Sequence, residues 1–339
     1  MLGLPTLNSL KQKLNIQKLN TGKTINYRGI VYDDIESLHA MGNIDGKVVL
    51  KSGLEWSFFQ YRGQINEYQV CNANLYRTLD NNEIFLQICR TVAFEQLLDK
   101  HPYIKLLKTI RFHDSELYIN NTAIAQHYEL KTPYLDLTGN FEIASFFATC
   151  EFDPIAKEYK PYYNSDEPGV IYIYNEAAHF MNVEDIKFEY LGWQGLPRPE
   201  EQKASIYHLN YDDDFAKLRG VKKHYFKHSK SISKRVWNKF NKGKTLFPDD
   251  VAADLANECK KLLSFTNIEI NIAKVRFNQW TNNNFKDEYF LSIIEKKNIS
   301  TVENSKLDWG LIMDIQESFW INKLNETFQK TRSRMIAYL

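Results

Sequence analysis

Hydrophobic and polar positions along this chain fall into three regimes. Over residues 1 to about 25, Leu and Ile are interleaved with Lys, Asn and Gln. That pattern fits a short peripheral helix or a loosely ordered arm. From about 45 to 263, apolar and aromatic runs bounded by Gly, Pro and Asn predict strands, with helical stretches between them. Beyond 264 the pattern is helical, with Leu311, Ile315 and Phe319 on one face.

Taken in order, "SLHAMG" (37–42) predicts the end of a helix stopped by glycine, and Lys47 to Leu50 a small strand. "LEWSFFQYRGQ" (54–64) is an aromatic strand ending in Arg62-Gly63. Ile84, Ile88, Val92 and Leu98 give the segment from Glu83 to about Leu107 a helical apolar face. A short helix ends at Gln126-His127-Tyr128, an apolar strand runs from Thr132 to Thr138, and a Gly-Asn turn opens a helix from Phe141 to Cys150. "GVIYIYNEA" (169–177) is a further strand. The stretch 193–203, with two prolines, reads as a loop leading into a strand from Ala204 to Leu209.

Residues 217–244 hold eleven Lys/Arg and no Asp or Glu, and open the helical part. Ile232, Val236 and Phe240 recur at helical spacing there, so one face points to the core while the rest is a solvated cationic surface. "TLFPDD" (245–250) turns into a helix from Val251 to about Leu263, with Asp249 and Asp250 placed for its first turn. The fold class is α+β: a mixed or antiparallel sheet flanked by helices, with a C-terminal helical extension. Its divisions are an N-terminal arm over 1–44, an α+β domain over 45–263 and a helical region over 264–339.

Composition narrows the chemistry. At 339 residues the chain can bury a proper core, and a net charge of +1 gives it no global attraction to nucleic acid or membrane. Cys71, Cys89, Cys150 and Cys259 are too scattered for a zinc ribbon, a disulfide scaffold or a CxxC redox pair. No apolar run approaches the roughly 20 residues of a membrane helix. A cytoplasmic, reduced protein without a membrane partner is the expectation. Walker A, GxGxxG, HExxH and GxSxG patterns are absent. His224 and His228 stand four apart, but lack a third ligand and lie among cations, so no metal is expected.

The residues that carry chemistry cluster around Thr122–Cys150. Asp136 is a carboxylate inside an apolar strand, costly to bury unless paired or hydrogen-bonded. Arg62, at a strand end, suits bidentate capture of a phosphate, or an ion pair with Asp136 that ties two strands together. Arg77 can bring a second guanidinium to the same edge. Thr138 can cap the helix that follows or meet a ligand at the helix N-terminus. His127 can hydrogen-bond at the cleft or serve structure alone.

"YRGQ" (61–64), "AQHYELKTPYLDLT" (125–138) and "ASFFA" (144–148), with "PRPEEQKASIYHL" (197–209) and "LFPDD" (246–250) behind them, resemble the FRG domain family, named for its Phe-Arg-Gly motif. Here Tyr61 replaces the Phe, Glu129 the usual Gly, Thr132-Pro133 the usual Thr-Arg order and Leu137 the Trp. The motif order is similar to that of ADP-ribosyltransferases. That resemblance implies a site with Arg62, Gly63, His127 and Thr138 toward NAD, Asp136 and Arg77 in support, and Glu201 or Gln202 polarising the reacting centre. It further implies a toxin or defence effector acting on a protein or nucleic-acid acceptor. The other reading is a non-catalytic module binding a nucleotide, peptide or nucleic acid, with the tract 217–244 on nucleic-acid phosphates through Tyr225, Phe226 and Trp237.

Overall fold

The structure, a computed structural model, describes residues 4–14, 25–27, 30–32, 38–42, 46–52, 59–77, 80–112, 114–164, 166–175, 187–309, 317–329 and 331–336. Its centre is a six-stranded sheet ordered Phe188–Tyr190, Ala204–His208, Tyr134–Thr138, Phe59–Gln64, Gly169–Asn175, Val221–Phe226. Every neighbouring pair runs antiparallel.

The two central strands, those of Arg62 and Asp136, are joined by a single registered pair, Tyr61 with Thr138. Their outer neighbours hold long registers: Arg62 lies opposite Tyr172, and Asp136 opposite Ile206. The sheet therefore has a seam at its middle. Alternation along the strands then assigns faces. Tyr61, Gly63, Asp136 and Thr138 share one face, and Gln60, Arg62, Gln64, Leu135 and Leu137 share the other.

Each face is covered by helix. On the Tyr61 face, Phe141–Thr149 and Lys230–Lys239 close a core with Tyr61, Ile171, Phe146, Val236 and Phe240. Ile232, Val236 and Phe240 are buried, so the helical spacing read from the sequence marks the packed side. The Arg62 face is covered by the long helix Asn81–Lys100, whose Phe85, Ile88 and Val92 pack with Leu135, Leu137, Tyr172 and Tyr207. Phe277 and Phe290, from helices Asn267–Thr281 and Asp287–Lys296, join that same core. Side-chain caps start three of these helices: Asp80, Asn140 and Thr266 each accept a hydrogen bond from a backbone N–H in the first turn. Burial of whole aromatic and aliphatic side chains at about 1.5–3 kcal/mol each sets the stability scale of such a core.

Several local expectations change. Leu38–Gly42 is a strand rather than a helix end: His39, Ala40 and Met41 sit in register with Lys51, Leu50 and Val49 of strand Val48–Ser52. Strand pairing overrides the local Gly stop signal: Val48–Ser52 forms a hairpin with it on one side, and the sequence-distant Thr331–Ile336 adds in parallel on the other. The stretch read as a loop around Pro197 holds a one-turn helix, Pro197–Glu201, started by proline at its first position. The basic tract opens as a strand, Val221–Phe226, which puts His224 in the sheet. The C-terminal part is mainly helical but includes the short parallel strands Ser264–Thr266 and Ser300–Val302. Residues 54–58, Leu311 and Ile315 lie outside the described residues, and nothing is described of the Phe319 side chain. No helix among the described residues is long and apolar enough to cross a membrane, and the four cysteines are buried and unpaired.

Candidate functional site at the central seam

Arg62 reaches across the seam. Its Nη1 donates to the main-chain carbonyl of Asp136 at 2.9 Å. The expected carboxylate ion pair between them is not formed, for a geometric reason: the register sends the two side chains to opposite faces of the sheet. Opening the ladder after Tyr61–Thr138 frees a backbone acceptor, and the guanidinium satisfies it.

The Asp136 carboxylate meets a different set of groups. Its Oδ2 accepts from Gln126 Nε2 at 3.0 Å, and its Oδ1 faces His127 Nε2 at 3.7 Å. Both Oδ1 and His127 Nε2 are buried without a hydrogen-bond partner. Even so, 38% of the Asp136 side chain is exposed, so the residue is reachable from solvent.

Both neighbours of the carboxylate are held from behind. Thr132, fully buried, donates from Oγ1 to Gln126 Oε1 at 2.6 Å, and its own N–H donates to Asn74 Oδ1 at 3.0 Å. That leaves the Gln126 amide N–H₂ for Asp136. On the other side, Gln202 Nε2 donates to the Leu246 carbonyl at 3.0 Å, which turns its Oε1 to His127 Nδ1 at 2.8 Å. His127 must then carry a proton on Nδ1. A second proton, on Nε2, turns the contact with Asp136 into an ion pair; without it, two lone pairs face one another. The His127 carbonyl lies 3.5 Å from Arg198 Nη1, and the Arg198 guanidinium covers the rings of Tyr128 and Phe247. Tyr128 in turn donates to Asp250 at 2.8 Å, whose carboxyl burial pushes up and that hydrogen bond pulls down.

A second group of polar atoms lines the Arg62 side. Arg62 Nε, Gln64 Oε1 and the Tyr172 hydroxyl are buried without hydrogen-bond partners. Cys71 stands next to them: burial pushes its thiol up, and the Arg62 guanidinium opposes that push. Arg77 ends the short 3-10 turn Asn74–Arg77, and both burial and the nearby Arg62 charge weaken its hold on its proton. Two guanidiniums near one another favour an anion between them.

The structure thus joins Arg62, Asp136, His127 and Gln202 in one chain of contacts, and leaves others aside. Gly63 faces the helix Phe141–Thr149, where a Cβ would stand 1.8 Å from the Ala144 carbonyl oxygen. Close packing fixes this glycine. Thr138 is buried and accepts from Asn140 N–H at 3.1 Å, while Asn140, not Thr138, caps the helix. Glu201 is exposed at the end of its short helix, and desolvation by its surroundings raises its carboxyl, opposed by Lys203. Among the described residues no group of three or more His, Cys, Asp or Glu could hold a metal ion.

No sequence pattern singles out Gln126, Thr132, Asn74, Gln64 or Tyr172 as site residues. One signal was legible: Gln60, Arg62 and Gln64 alternate with aromatic and small residues, which places three polar groups on one side of a buried strand.

Residues 57–156 match the FRG domain. No curated protein and no solved structure matches the chain. The matched span holds Arg62, Gly63, Gln126, His127, Thr132 and Asp136, together with Ala144 beneath Gly63, while Gln202 and Tyr172 come from outside it. The chain carries an FRG domain, and its central seam is built around the residues of that domain.

Proposed function

We propose that the seam binds a phosphate-bearing, hydroxyl-rich ligand of the nucleotide class. One observation carries this reading: buried polar atoms that normally find partners are left without them on both sides of the seam, on Arg62, Gln64 and Tyr172 at one face and on His127 and Asp136 at the other. Arg62, steadied by the Asp136 carbonyl, keeps Nε for a phosphate, with Arg77 adding charge. The Asp136 carboxylate suits ribose hydroxyls as an acceptor, and His127 and Gln126 fix its direction.

The second reading is transfer chemistry on NAD, favoured by the presence of a reachable, oriented carboxylate. As nicotinamide leaves, positive charge develops at the anomeric carbon, and a fixed carboxylate stabilises it. Asp136 is better oriented for this than Glu201, which is exposed, or Gln202, which is engaged with His127 and Leu246. In this reading Gln202 acts through His127, and a protein or nucleic acid accepts the ribosyl group. A module that binds without turnover is the alternative.

Calorimetric titration with ADP, ADP-ribose and NAD, together with an assay for nicotinamide release, tests both readings. Binding that weakens tenfold or more in Arg62→Ala and Asp136→Asn supports the site. Nicotinamide release that is lost in Asp136→Asn supports transfer, and binding with no release leaves the module. Equal affinity in wild type and both variants contradicts the site itself.

A further inference from the structure

Away from the seam, a cleft of about 620 Å³ lies between the hairpin Cys150–Pro161 and the helix Lys230–Lys239. Its volume is within the range of small-ligand sites. The helix side presents Lys230 and Lys234, one turn apart and exposed, and neither forms an ion pair among the described residues. Elsewhere in the tract Lys217 pairs with Asp214, Lys223 with Glu67 and Lys239 with Glu142.

Aromatic groups sit beside these lysines. Trp237 lines the cleft with its ring pinned, since Nε1 donates to the Tyr159 carbonyl at 2.6 Å. Tyr163 is 49% exposed, with Lys230 Nζ 5.3 Å from its ring centroid. Trp237, with Lys242 Nζ 5.3 Å from its ring centroid, and the exposed Tyr163 thus bring two aromatic rings with cations beside them to the cleft. Glu151 and Glu158, exposed on the hairpin side, supply acceptors only.

We propose that this cleft binds single-stranded nucleic acid. One base stacks on Trp237 and Tyr163, successive phosphates lie on Lys230 and Lys234, and Glu151 or Glu158 accepts from an exocyclic amino group. Two lysines one turn apart along the cleft suit successive phosphates of one strand. The glutamates favour cytosine or adenine, which carry amino donors, over uracil, which does not. Of the three aromatics expected to serve such binding, only Trp237 takes part: Phe226 is in the core and Tyr225 donates to Glu67. The site is independent of the seam.

Fluorescence anisotropy of the full chain with short oligocytidine and oligouridine RNAs tests it. Oligocytidine is expected to bind more tightly, with log affinity falling against log salt with a slope of about −1.4 for two neutralised phosphates. K230E/K234E, at exposed positions, is expected to lose at least tenfold and flatten the slope. Trp237→Phe weakens binding less, and E151Q/E158Q removes the cytidine preference. Wild-type affinity in K230E/K234E overturns the proposal. So does competition by CMP as strong as by the oligonucleotide, which makes this a mononucleotide site, or equal binding of polyglutamate, which makes it a general anion site.

Discussion

Arg62 holds Asp136 by its backbone, not by its charge: Nη1 lies 2.9 Å from the Asp136 carbonyl oxygen, and the carboxylate of that residue turns to Gln126 and His127. The guanidinium thereby replaces a ladder bond the two strands do not make. Removing it in Arg62→Ala leaves a carbonyl without its donor, at a cost of about 1–3 kcal/mol. Arg62→Lys does not restore it fully, since a single ammonium cannot serve both the carbonyl and the seam. Urea unfolding curves check this. A lowered midpoint with unchanged slope is expected for both variants, larger for alanine.

Gly63→Ala is expected to be worse than either. A Cβ 1.8 Å from the Ala144 oxygen and 2.8 Å from Ala148 N meets backbone, which cannot rotate away. The helix Phe141–Thr149 must shift off the sheet, costing about 3 kcal/mol or more. Thermal melts should show a large drop in Tm, with Ala144→Gly giving no rescue because the clashing atom is a carbonyl oxygen.

Much of this fold was legible in the sequence, and the exceptions share a cause. The strand of Asp136, the capped helix after it and the core stripe of Ile232, Val236 and Phe240 follow from local periodicity. Leu38–Gly42 departs from the helix end its glycine signals because it pairs with the next strand, Val48–Ser52, on one side and with Thr331–Ile336, about 290 residues away, on the other; that second partner lies beyond any local window. In the site, Arg62 and Asp136 were visible as costly residues in apolar surroundings. Their relationship was not, since one register pair, Tyr61 with Thr138, decides which side of the sheet each one faces. The roles of Gln126 and Gln202 depend on amide directions fixed by Thr132 and by the Leu246 carbonyl, which sequence does not carry.

Glu129 stands where the FRG pattern usually has glycine, and its φ of +65° explains that preference. Left-handed backbone costs a residue with a Cβ about 1 kcal/mol and costs glycine almost nothing. The ion pair with Lys260, at 2.8 Å but partly exposed, returns less than about 1 kcal/mol. Glu129→Gly is therefore expected to stabilise slightly, by up to about 1 kcal/mol, and Glu129→Val to destabilise. Comparison of their unfolding midpoints checks the sign.

His101 gives the chain an acid-sensitive point away from the seam. Its Nδ1 accepts from the N–H groups of Tyr103 and Ile104, capping the helix Pro102–Lys108, a task only the neutral ring performs. Burial lowers its pKa from 6.5 to about 4, helped by Lys323. Between these values the unfolded chain takes up a proton that the native chain refuses. Stability is thus complete above pH 6.5 and falls as pH drops toward 4, by about 3 kcal/mol in all. His101→Asn keeps a capping acceptor and removes the titration, so its urea midpoint should depend less on pH across that window.

The central claim is that Arg62 and Asp136 open onto one ligand site through the seam between their strands. Isothermal titration of ADP-ribose into wild type, Arg62→Lys and Asp136→Asn, each first shown to be folded, tests it most directly. Binding to wild type with at least a tenfold loss in both variants is the predicted result. Wild-type affinity in both, or heat from a site that neither substitution disturbs, would contradict it.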